Sequence, residues 1–119
     1  MKEFVDTGAI QWRSAEGLPA GVYEKVVSTD KKTGSHSRLV KFEPGVRTEG
    51  TLAHDFWEEI LVLEGDLEDI PNNQILKKGF YTCRPPGVQH GPYRSSKGCI
   101  VFEVRNYYEG EKRVSREQA

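Results

Sequence analysis

Gly79-Phe80-Tyr81-Thr82-Cys83-Arg84-Pro85-Pro86-Gly87-Val88-Gln89-His90 carries three kinds of backbone instruction in one stretch. Lys77-Lys78-Gly79 reads as a turn, because glycine enters tight or left-handed backbone without a Cβ penalty. Phe80 to Cys83 follows as a short strand of aromatic and β-branched residues. Pro85-Pro86-Gly87 then forms a rigid bend, since proline fixes φ and cannot donate to a ladder. A new strand starts at His90 and runs to Arg94.

The same alternation of short strand and turn extends in both directions. Ser95-Ser96-Lys97-Gly98 leads into a last strand, Cys99 to Arg105. Upstream, Val22 to Ser28 and Ser35 to Phe42 form a hairpin around the polar turn Thr29 to Gly34. Pro44-Gly45 breaks the pattern, and the chain is irregular to Thr51. Trp57 to Leu63 (WEEILVL) is the most apolar segment; seven residues are short for a helix, so it reads as a strand. Glu64-Gly65-Asp66 is expected to end it in a turn. Leu67 to Ile70 and Gln74 to Leu76 are further short strands around Pro71-Asn72-Asn73. Many short strands at close spacing imply an all-β sandwich or barrel.

A chain of 119 residues fits one domain. The barrel core is expected over about 20–107, with a charged, solvated tail over about 108–119. Net charge is −1 with mixed signs, which gives no basic face for nucleic acid. No apolar run approaches membrane-span length, and the first residues lack a signal-peptide core. The expected location is therefore cytoplasmic. Cys83 and Cys99 do not make a disulfide framework or a CxxC site, and each is read as a small buried apolar residue.

The spacing of particular residues resembles the cupin superfamily, most nearly its small ChrR-like and acetylacetone-dioxygenase-like members. Gly79, Pro85, Gly87 and His90 match one family motif without a gap, with Arg94 where the family often has Asn. His54, Glu58 and Gly65 fall into register with the other motif, in which Leu52 replaces the first histidine of a His-x-His pair. The matching region runs roughly from Val40 to Phe102. The resemblance implies a small jelly-roll barrel, a homodimer, and a divalent metal held by His54, Glu58 and His90.

Two imidazoles and one carboxylate suit this chemistry by themselves. They form the ligand set of non-haem Fe(II) oxygenases, so Fe(II) is favoured, while Zn, Ni, Mn or Cu are also compatible with such donors. Alternation along the strand puts Glu58, Ile60 and Val62 on one face, taken as inward, with Glu59 on the other. Leu52, Ile60 and Tyr81 are expected to line the pocket. Phe56, Trp57 and Tyr93 read as core or interface aromatics, Glu103 and Arg105 as an exposed or interface face, and His36 as a rim histidine. Leu61 and Leu63 form an outward apolar set that fits dimerisation. The implied function is a dioxygenase acting on a small diketone-like carbonyl compound. The alternative is a non-catalytic binding or sensing module like the cupin domains of anti-sigma regulators, possible even without metal.

Overall fold

A computed structural model describes residues 3–107, except for the side chain of Leu52. The charged tail expected over about 108–119 lies outside the described residues. A 3-10 turn, Thr7–Ala9, is capped by Asp6, whose side chain accepts from the Gly8 amide. Eleven strands follow: β1 (Arg13–Ser14), β2 (Val22–Thr29), β3 (His36–Phe42), β4 (Val46–Arg47), β5 (Leu52–Ala53), β6 (Trp57–Asp69), β7 (Gln74–Lys77), β8 (Tyr81–Arg84), β9 (Gln89–His90), β10 (Tyr93–Ser95) and β11 (Cys99–Asn106). All pairings are antiparallel. The main path is β1-β2-β3-β11-β6-β10-β4, with β7 and β8 also on β6, and β5-β9 forms a separate ribbon. The sheet curls into a half-barrel, so the all-β expectation holds.

Strand β6 organises the curl. Its first part pairs with β11 and β8, and its second part with β7 and β10. Between these parts the register with β11 slips: Val62 faces Val101 while Glu64 faces Ile100, leaving Leu63 unopposed. Such a bulge bends a strand and increases its twist. Gly65 makes the bend possible, with φ +76° and a position where a Cβ would lie 2.0 Å from Gly98 O. The expected turn at Glu64-Gly65-Asp66 is thus a bend within one continuous strand. The strand expected from His90 to Arg94 is likewise two pieces, β9 and β10.

Alternation then sorts the interior into two ends. Val22, Val40, Phe42, Ile60, Val62, Leu67, Tyr93, Cys99 and Val101 form the apolar core. Continuing the same inward faces, β2, β3, β6 and β11 place Glu24, Arg38, Glu58 and Glu103 inside as buried charged residues. The barrel therefore has an apolar floor and a charged upper layer. Cys99 is buried as expected, whereas Cys83 is exposed on the outer side of β8, and both are free.

Candidate metal centre

The β5-β9 ribbon joins the two halves of the site. Leu52 pairs with His90 and Ala53 with Gln89, and the Gly87 amide donates to His54 O at 2.8 Å. The Pro85-Pro86-Gly87 bend is thereby tied to the loop that presents His54. Glu58 enters from the inward face of β6, and His90 ends β9.

His54, Glu58 and His90 offer one ligating atom each, all within 4.8 Å of one another. His90 Nε2 lies 3.9 Å from Glu58 Oε1, and His54 Nε2 lies 4.0 Å from Glu58 Oε2. These separations exceed hydrogen-bond reach. Glu58 Oε1 and His90 Nε2 are both buried with no hydrogen-bond partner. Buried polar atoms are normally satisfied, so two orphaned donors aimed at one point fit a cation held between them. Bonds of about 2.1 Å set neighbouring donors about 3.0–3.4 Å apart, a modest contraction from the observed spacing.

Electrostatics supports the same reading. Burial, reinforced by the charge of Arg84 and by His54, lowers His90 to about 4, leaving it neutral. Burial and the charge of Arg105 also lower His54. Glu58 is pushed up to about 9, by burial first and then by hydrogen bonding and repulsion from Glu103. Burial would raise Glu103 as well, but the Glu58 hydrogen bond and the charges of Arg38 and Arg105 hold it below the usual carboxylate range. Without an ion, Glu58 is thus the neutral partner of an ionised Glu103. A divalent cation would reverse the preference at Glu58.

Surrounding groups fix the donors. Tyr93 Oη is 3.1 Å from His90 Nδ1, the kind of outer contact that sets the orientation of a ligating imidazole. His54 stacks on Phe56 at 4.3 Å between ring centroids, and Arg105 also lies over the Phe56 ring, 4.7 Å from its centroid. Arg38 bridges Glu24, at 2.7 Å, and Glu103. Arg13 extends the chain to Glu24 at 3.0 Å, and Arg105 reaches Glu103 at 3.3 Å.

These groups overlook a cavity of about 90 Å³, whose apolar walls include Val40, Phe42, Ile60, Leu67 and Val101. That is room for a few waters or one small organic molecule.

Ile60 lines this cavity, as expected, but Tyr81 does not. The residue is 57% exposed on the outer face of the sheet, and its hydroxyl donates to Glu59 at 2.6 Å. The Leu52 side chain lies outside the described residues. His36 sits on β3 with Nδ1 2.9 Å from Gly34 O, beside surface grooves and outside the cavity. Arg94 is paired with Glu68 on the surface at 2.6 Å.

Glu103 and Arg105, expected on an exposed face, instead point inward; Glu103 is only 4% exposed. Their parity with Cys99 and Val101 was the available signal. The sequence reading also passed over Arg38 and the contact of Tyr93 with His90.

The family model for the ChrR Cupin-like domain matches residues 1–109. Among solved structures, the chain is similar to an acetylacetone dioxygenase from Acinetobacter johnsonii (13% identity, TM-score 0.74, 92% of this chain and 79% of that one). It is also similar to an RmlC-like cupin from Shewanella frigidimarina (17%, 0.72, 92% and 94%). A third likeness is to the Rhodobacter sphaeroides complex of SigE with the anti-sigma ChrR (20%, 0.66, 85% and 52%). In that case the chain spans about half of the matched protein. At such identities the likeness is one of fold. No curated protein matches the chain. The family match and the half-barrel agree: this chain belongs to the ChrR-like cupins.

Proposed function

We propose that this cupin binds a divalent metal, with Fe(II) favoured, and oxidises a small diketone-like carbonyl compound with dioxygen. The observation that carries the reading is the pair of orphaned buried atoms, Glu58 Oε1 and His90 Nε2, facing each other beside a small apolar cavity. An ion of this kind supplies Lewis acidity toward carbonyl oxygens and, as Fe(II), redox chemistry with dioxygen. His54, Glu58 and His90 would hold it.

The other residues prepare the surroundings. Val40, Ile60 and Val101 exclude water from the substrate's alkyl groups. The Arg38–Glu24 and Arg38–Glu103 pairs balance charge within the upper layer, which disfavours a polyanionic substrate. Phe56, stacked on the His54 ring and itself covered by Arg105, holds that ring against rotation.

A second reading is a non-catalytic small-molecule-binding or sensing module, with or without metal, which the likeness to the anti-sigma ChrR supports. Elemental analysis of protein purified without added metal, compared with His90→Ala, tests the shared part. Oxygen uptake across a diketone panel then separates the two readings. Stoichiometric iron lost in the variant, with oxygen consumed by the wild type, supports the enzyme. Stoichiometric metal without oxygen uptake supports the sensor, and no metal at all sinks both metal-binding forms.

A further inference from the structure

Tyr93 and His90 meet at the wall of the cavity, which both of them line. The Tyr93 hydroxyl oxygen lies 3.1 Å from His90 Nδ1. Both residues are buried. Among the described residues, the Tyr93 hydroxyl has no other hydrogen-bond partner.

A phenol carries one hydrogen and a neutral imidazole carries one, so the contact has two arrangements. In the first, Tyr93 donates to Nδ1 and the imidazole hydrogen sits on Nε2. That nitrogen then has no lone pair for an ion, and its hydrogen finds no acceptor, because Glu58 Oε1 is 3.9 Å away. In the second, Nδ1–H donates to Tyr93 Oη and Nε2 presents its lone pair toward Glu58. The phenol hydrogen is then left over in a buried place, which is unfavourable unless an acceptor arrives.

The geometry points to Tyr93 as a ligand-binding donor that becomes available when His90 takes up an ion. Ligation through Nε2 selects the second arrangement, and the freed hydroxyl hydrogen turns into the cavity toward an oxygen of the bound small molecule. This rests on the metal-binding reading above. It assigns the ligand class: a compound whose carbonyl, enolate or carboxylate oxygen lies beside its coordinating atom. A sulfur ligand of the same ion gains much less from Tyr93, since sulfur accepts hydrogen bonds more weakly than oxygen.

Co(II) gives visible bands that report ligand exchange, so the full-length chain loaded with Co(II) tests the proposal. Co(II) affinity is measured by calorimetry for wild type and Tyr93→Phe. Each loaded protein is then titrated with pentane-2,4-dione and with propane-1,3-dithiol. The phenylalanine ring keeps the core volume, and the melting temperature checks that the variant is folded. We expect Tyr93→Phe to bind Co(II) about tenfold more weakly, through loss of the His90 partner. Its dione affinity should also fall about tenfold, with dithiol affinity within about twofold of wild type. Unchanged dione affinity, or equal losses for dione and dithiol, would overturn the role of Tyr93 while leaving the metal reading intact. Failure of wild type to bind Co(II) would overturn both.

Discussion

Leu52 is the cross-strand partner of His90 in the β5-β9 ribbon. Position 52 is where the cupin resemblance has a histidine, so the backbone register sets the missing ligand directly opposite one that is present. Facing residues of an antiparallel pair have Cβ atoms about 4.5–5.5 Å apart, close enough to share one ion.

Leu52→His should therefore complete a four-residue site. We expect divalent-metal affinity to rise by about tenfold or more, as judged by competition with a chromophoric chelator. An unchanged affinity would show that a side chain at 52 does not reach the ion.

Glu58 gives a pH-dependent expectation. Its carboxyl is held near 9, by burial first and then by Glu103, above its ordinary value of 4.5. Below pH 4.5 it is protonated in both folded and unfolded chains and costs nothing. As pH rises toward 9 the unfolded chain ionises and the folded one does not, so metal-free stability falls. Glu58→Gln, which is neutral and can still donate to Glu103, should be more stable than wild type by about 2 kcal/mol or more at pH 8. The gain should vanish near pH 4.5. Denaturant unfolding at both pH values reads the difference, and an equal gain at both would refute the account. His90 acts oppositely and elsewhere: its value near 4 removes stability as pH falls below its ordinary 6.5. Metal uptake must displace the Glu58 proton, so binding at pH 7 should release about one proton per ion, measurable by calorimetry in different buffers.

Arg38 is buried between two carboxylates. Arg38→Met leaves Glu24 and Glu103 close together without their shared cation, and we expect a loss of about 3–5 kcal/mol in denaturant unfolding. Adding Glu24→Gln to that variant should recover part of the loss. A single variant as stable as wild type would mean that the network is not compensating buried charge.

On the outer face, Leu61, Tyr81, Phe102 and Val104 line an apolar groove of about 180 Å³. We expect this face to pair two copies in solution, with Leu61→Lys shifting the population toward monomer. Sedimentation at micromolar concentration decides it, since wild type found only as monomer would rule out the homodimer.

Much of the architecture was legible in sequence because turn chemistry is local. The bend at Pro85-Pro86-Gly87, the hairpin of β2 and β3, and strand β11 each follow from a few neighbouring residues. Gly65 is ambiguous in sequence because the same positive φ serves a turn or a bulge. Only pairing with β11 and the approach of Gly98 O tell them apart. Tyr81 falls outside the cavity, and sequence does not reveal it, because alternation says which residues share a face without saying which face is inside.

The sequence by itself determined an all-β chain, its motif glycines and prolines, and the candidate trio His54, Glu58 and His90, since these depend on spacing along the chain. Parity groups Glu103 and Arg105 with Cys99 and Val101, but tertiary structure decided that this face of β11 is the inner one and that Tyr93 meets His90. A charge can be buried only where opposite charges come to meet it. Arg38 does so for Glu103 from 65 positions away, a distance along the chain that no local pattern encodes.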